Sequence, residues 1–174
     1  ARESARRRAV GAYRAVRRYF PAARALGAEG AFRAGELLRS SSADEEALAE
    51  FELARDLGHG TEFRPRGGLE YAHLLRRRSR LLDALGAYAE VASMDDVESR
   101  YLEEALYWTG CVQARLGRER EARGSWERVA RRGRDPLERV RAFDAWASSL
   151  VETADLEAAA GVLELCRGEL SPIA

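Results

Sequence analysis

The side chains with which this 174-residue chain could do chemistry are few: two histidines, two cysteines and two pairs of adjacent carboxylates. Neither His59 nor His73 has a second His, Cys or carboxylate at metal-ligand spacing beyond what a charged chain supplies. A solvent-facing or groove-lining place is expected for both. Asp95-Asp96 and Glu103-Glu104 have the chemistry of general acids and bases. Both pairs are placed at expected helix starts, where carboxylates stabilise the helix dipole and stay solvated. Cys111 and Cys166 are too few for a disulfide framework and form no C-x-x-C pair, so they read as small buried or half-buried hydrophobes in a reduced setting. No P-loop, G-x-G-x-x-G or G-x-S-x-G motif occurs. The expectation is a protein that is not an enzyme, with no catalytic, cofactor-binding or metal site and no cofactor.

Charge narrows the partners. The chain holds 29 basic and 29 acidic residues with pI near 7.0, and every basic residue is Arg. Arg2–Arg24 has eight Arg against one Glu, and Arg76-Arg77-Arg78-Ser79-Arg80 is a second basic cluster, while Asp44–Asp56 and Glu90–Glu104 are net acidic. A nucleic-acid binder needs a basic pI and exposed aromatics between its charges, so none is expected here. Solvated faces and ion pairs between repeats explain the charges better. With 46% hydrophobic residues the chain is too apolar for disorder, and no apolar run nears the roughly 20 residues of a spanning helix, so no membrane insertion is expected from this segment. A cytoplasmic setting is expected, or a periplasmic one if an export signal preceded Ala1.

Helices must position all of these residues. Ala, Leu, Arg and Glu dominate, β-branched runs are missing, and no Asn-Gly or Asp-Gly turn occurs. Pro21, Pro65, Pro136 and Pro172 fall between periodic stretches, where they break nothing. An Ala followed four residues later by a large side chain recurs at Ala9/Tyr13, Ala47/Phe51, Ala84/Tyr88, Ala122/Trp126 and Ala159/Leu163, at spacings of 38, 37, 38 and 37. Three residues further on come Val16, Ala54, Val91, Val129 and Cys166, completing an apolar stripe on one helix face. Twelve residues before each of the last four alanines lies a small residue: Gly35, Ala72, Gly110 and Ala147. Leu38, Leu75, Gln113 and Leu150 follow at +3. Small residues at set places in adjacent helices let antiparallel helices approach closely. Gly35 with Phe51, and Gly110 with Trp126, are the expected notch-and-ring pairs.

This pattern resembles the tetratricopeptide repeat (TPR) family, whose unit runs from a small residue through an apolar one to A-x3-F and a closing Pro. The clearest unit, Glu103–Ala130, places Gly110, Gly117, Ala122, Trp126 and the following Pro136 close to family positions. The next gives Ala147, Leu150, Asp155, Ala159, Leu163 and Pro172. The period exceeds the family's 34, which implies elements longer by roughly one turn. The early units are degenerate around the Gly/Arg-rich stretch Gly58–Gly68. Units stretched in this way look like those of bacterial cell-envelope repeat proteins.

The resemblance implies an all-α, right-handed α–α superhelix, a TPR-like solenoid of about nine helices. The expected divisions are 1–24, the second helix of a truncated repeat, then repeats at 25–57, 65–94, 97–133 and 136–170. Ser41 and Ser42 are expected to cap the helix that begins with Asp44, Glu45 and Glu46, and Asp155 the last helix. Both ends are expected to continue in a longer parent, because the leading helix lacks its partner and no polar capping helix closes the array.

In the family the first helix of every unit lines a concave groove. Transferred here, the groove would carry Glu29, Phe32, Glu36 and Arg39, then Arg66, Leu69, His73, Arg76 and Arg77, then Glu104, Tyr107, Cys111 and Arg115, and last Arg141, Asp144, Ser148 and Glu152. The expected partner-binding residues are Phe32, Glu36, Arg39, Arg66, Leu69, His73, Arg76, Arg77, Tyr107, Arg115 and Asp144. The function this implies is a non-catalytic protein–protein interaction scaffold. Its partner is a protein or peptide of acidic character, met by Arg forks and a Tyr107 anchor. Chaperone-binding members clamp a terminal carboxylate with Asn and Lys, and this chain contains neither. The alternatives are the helical-repeat part of a larger enzyme, such as a lytic transglycosylase or signalling kinase, or of a transcription regulator, with the active or DNA-binding part elsewhere.

Overall fold

The computed structural model describes residues 2–95 and 97–170. Asp96 and Pro172, both singled out above, lie outside the described residues. Among the described residues there are nine helices and no strand: α1 (Arg2–Tyr19), α2 (Arg24–Ser40), α3 (Asp44–Leu57), α4 (Phe63–Arg77), α5 (Leu81–Ala92), α6 (Ser99–Arg115), α7 (Glu119–Arg132), α8 (Pro136–Glu152) and α9 (Leu156–Leu170). The chain divides into two compact units, 1–97 with α1–α5 and 98–174 with α6–α9.

The same turn closes α2, α4, α6 and α8. Ser42, Ser79, Gly117 and Ala154 have φ of 60°, 59°, 72° and 60°, and they stand 37, 38 and 37 residues apart. After each, the next backbone N–H reaches back to the carbonyl of Leu38, Leu75, Gln113 or Leu150 at 2.9–3.0 Å. This is the Schellman ending, in which a left-handed residue redirects orphan carbonyls at a helix terminus. The apolar positions at +3 in the repeat are therefore also the acceptors of the turn. Gln113 keeps the turn through its backbone, and its side chain accepts from Ser125 Oγ at 2.8 Å.

In unit 1 each helix packs on the next and α2 also touches α4. The core holds Phe32, Phe51, Leu69, Leu74, Leu75, Tyr88 and Val91. A Cβ on Gly35 would sit 2.7 Å from Phe51 Cε1, so the expected notch is real. Part of the Gly/Arg-rich stretch proves helical. Helix α4 starts at Phe63, with Pro65 tolerated in its first turn. Gly67 and Gly68 lie where a Cβ would meet Phe51 O at 2.8 Å and Val91 Cγ2 at 2.6 Å. Ser41 and Ser42 do not cap α3. Its N-cap is Ala43, without a side-chain bond. Ser41 Oγ donates backward to Leu38 O at 2.9 Å, because the left-handed Ser42 turns the chain before either hydroxyl reaches α3.

In unit 2 successive helices again pack together and α6 touches α8. A Cβ on Gly110 would lie 2.5 Å from Trp126 Nε1, and that Nε1 donates to Tyr107 O at 3.2 Å. Asp155 caps α9 through Ala158 N as expected, at 3.2 Å. Asp135 does the same for α8 through Leu137 N at 2.8 Å, ahead of Pro136. Two expectations fail. Leu163 is 54% exposed while Val162 is 6% exposed, because α9 packs on α8 and the stripe it covers runs through Ala159 and Val162. Glu103 is not a solvated carboxylate at a helix start. It lies in the second turn of α6, 5% exposed. It accepts from Arg134 N at 2.7 Å and Asp135 N at 3.2 Å, the orphan donors ahead of α8.

Candidate functional site

Each unit presents a face built from the first helices of two neighbouring helix pairs. In unit 1 this is the α2–α4 face. Phe32 and Leu69, expected in the groove, are 2% and 4% exposed and belong to the core. Phe32 packs with Phe51 and Phe63 at 5.8 and 5.7 Å between ring centres. The Arg66 guanidinium lies 4.4 Å over the Phe32 ring and 5.6 Å from Phe63, with Nη1 donating to Glu62 at 3.2 Å.

Glu36 is clipped by Arg33 at 3.0 Å, and the guanidinium of Arg33 is pushed up chiefly by that hydrogen bond. Arg39 is ion-paired with Glu70 across the two helices. His73 Nδ1 stands 2.6 Å from the buried Tyr88 hydroxyl, which also accepts from Arg76 Nε at 3.3 Å. Arg77 is exposed. The structure therefore brings Phe32 to Arg66 and His73 to Arg76.

The basic middle of the expected groove is largely matched by carboxylates. Glu62 and Glu70, absent from the expected site, neutralise Arg66 and Arg39. Pairs like Arg39–Glu70 span about one repeat elsewhere in unit 1 as well: Arg55–Glu90 at 3.0 Å, Arg78–Asp44 at 3.2 Å and Arg14–Glu50 at 2.6 Å. A cleft of about 800 Å³ between α1 and the tips of α2 and α3 has a Val10 and Leu38 floor, with Arg6, Arg7 and Arg14 facing Glu3 and Glu46.

In unit 2 the corresponding face lies on α6 and α8. Tyr107 is half-buried and meets Trp108 edge-on at 5.3 Å. Burial pushes the Tyr107 phenol up, as does nearby Cys111, against the opposing pull of Arg141. Arg141 lies 4.4 Å over the Tyr107 ring, 6.0 Å from that of Trp108, and donates through Nη1 to both oxygens of Glu138 at 2.6 and 2.9 Å. Arg115 and Asp144 are exposed, and Cys111 and Cys166 are half-buried.

Trp108 and Phe63 are aromatics that sequence reasoning missed; Trp108 sits one residue off the repeat position and so outside the inward set. The two Arg-over-ring contacts share a signal that was present in the numbering, since Phe32 to Arg66 and Tyr107 to Arg141 are both separated by 34 residues. Among the described residues, no group of three His, Cys, Asp or Glu side chains is placed to hold a metal ion. No helix among the described residues is long and apolar enough to cross a membrane.

The repeated pairs, turns and notches define a helical-repeat protein with the TPR-like fold. The fold is similar to that of solved structures with this architecture. MamA matches at a TM-score of 0.67 and 13% identity, covering 89% of this chain and 82% of that one. The nearly identical TPR-like repeats of a Podosopora anserina kinesin light chain match at 0.69 and 13%, covering 96% and 88%. BtubC from P. vanneervenii matches at 0.67 and 14%, covering 82% of this chain and 62% of its own. No family model and no curated protein sequence matches the chain.

Proposed function

We propose that the chain is a non-catalytic scaffold that binds a peptide or partner protein on the exposed sides of its first helices. The observation that carries this reading is the contact of α2 with α4 and of α6 with α8. It gives each unit one continuous surface bearing Arg and aromatic side chains, the residue types that dominate binding energy at interfaces. The TPR-like fold supports it, because arrays of this type leave the first helices of successive repeats lining a shared surface.

On the unit 1 face Arg33, Arg39, Arg66, Arg76 and Arg77 outnumber Glu29, Glu36, Glu62 and Glu70 by one. The C-terminal end of α4 carries Arg76 and Arg77 side by side, with Arg77 exposed. An acidic segment of a partner is the complement of that end. The test is a displayed peptide library panned on the chain, followed by affinity measurement of the selected peptides. Acidic peptides are expected, with Arg76→Glu/Arg77→Glu weakening them at least about tenfold. Equal affinity for the variant and the parent chain would overturn the reading.

A further inference from the structure

The unit 2 face has a different chemistry from that of unit 1. Along α8, Leu137, Val140, Arg141, Asp144 and Ser148 recur at three- and four-residue steps and all are exposed. They therefore form one solvent-facing stripe. Leu137 is 74% and Val140 46% exposed, so two aliphatic side chains stand in water on the same stripe as Arg141, which lies over the half-buried rings of Tyr107 and Trp108. On the exposed side of α8, Glu138, Asp144 and Glu152 stand against Arg141, an excess of two negative charges (three acids less one base). The face already holds one cation. The Arg141 guanidinium lies over both rings, and the Glu138 carboxylate grips its outer edge.

We infer that the α6–α8 face docks a partner segment in which Arg or Lys stands next to aliphatic residues. The aliphatic side chains cover Leu137 and Val140 and remove that apolar surface from water. The cation pairs with Asp144 and adds to the stacking on the exposed part of the aromatic pair, as Arg141 does from within the chain. Carboxylates at the rim of such a patch select against acidic segments, since like charges brought together repel. The inference rests on the scaffold reading and assigns to unit 2 a ligand of opposite sign to the one that suits Arg76 and Arg77.

The experiment uses the whole chain and two fluorescently labelled peptides, one alternating Arg and Leu, the other Glu and Leu. Binding is followed by anisotropy at near-physiological salt. The Arg–Leu peptide is expected to bind. Asp144→Arg should weaken it at least about tenfold, and Leu137→Ser/Val140→Ser about fivefold. Arg76→Glu/Arg77→Glu should leave it unchanged. All of these positions except Arg76 are exposed, and circular dichroism confirms that each variant keeps its helices.

The inference is overturned if the Arg–Leu peptide does not bind. It is also overturned if that peptide binds the Asp144 and Leu137/Val140 variants as tightly as the parent chain. Loss of the Glu–Leu peptide to the same substitutions would overturn it too. Failure of the scaffold reading would look different: library-selected acidic peptides would ignore the Arg76/Arg77 exchange.

Discussion

In unit 1 the ring of Phe51 fills the notch left by Gly35 through apolar contact alone, whereas in unit 2 Trp126 fills the notch of Gly110 and also donates to the Tyr107 carbonyl. The buried carboxylates differ in the same way. Glu50 of α3 is held by two guanidinium groups of α1, from Arg14 Nε at 2.6 Å and Arg17 Nη1 at 2.9 Å. Glu103 of α6 holds two backbone N–H groups ahead of α8. At its buried carboxylate, unit 1 thus ties two helices by side-chain charge and unit 2 by hydrogen bonds from backbone. A repeat prescribes where helices meet, and the chemistry that closes each meeting is free to vary. Backbone donors are fixed by the course of the chain, while a half-exposed arginine side chain can swing into water.

That contrast predicts unequal costs. Glu103→Ala removes the shared acceptor of two part-buried backbone donors and should lower stability by about 2 kcal/mol. Glu50→Ala should cost only about 1.5 kcal/mol, since Arg14 and Arg17 keep 41% and 23% of their side chains in solvent and can hydrate. Urea unfolding of the two variants measures the difference, and a larger loss for Glu50→Ala would reverse the comparison.

The notches sharpen it further. Gly110→Ala and Gly35→Ala each push a methyl group into a ring and should cost about 2 kcal/mol. Trp126→Phe is expected to recover part of the Gly110→Ala loss, because a phenyl ring is smaller and is not tethered to Tyr107 O. A double-mutant cycle in the thermal midpoint reads this coupling, and additivity of the two losses would remove the tether from the account.

The smallest effect belongs to the turns. Gly117→Ala forces a Cβ into the left-handed region and should cost about 1 kcal/mol. Ala154→Gly relieves the same strain and should gain roughly 0.5 kcal/mol after the added freedom of the unfolded chain. Thermal unfolding of both variants checks that the two shifts have opposite sign.

The helices and their pairing were legible because they depend on near neighbours in the chain. The 37–38-residue recurrence, the Gly35/Phe51 and Gly110/Trp126 notches and the Asp155 cap all follow from residue size and hydrogen-bonding capacity at short, regular spacing. The left-handed turns were not legible at Ser42, Ser79 and Ala154. Only Gly117 carries the residue type that announces such a conformation. Ser41 and Ser42 misled for the same reason, since a cap depends on where the backbone turns as well as on which hydroxyls stand nearby.

The sequence by itself therefore determined an all-α chain of repeated helix pairs, the apolar stripe on most of its helices and the small residues against which large ones pack. Only the tertiary structure decided which charges are already spent on one another and which side chains remain open to a partner. It removed Phe32 and Leu69 to the core, matched Arg39 and Arg66 to Glu70 and Glu62, buried Glu103, and exposed Leu137 and Leu163. The physical reason is that helix formation, pairwise notching and an i,i+4 pair such as Arg66–Glu62 are local in sequence, while burial and pairs such as Arg39–Glu70 join residues about thirty apart that meet only when successive helices stack.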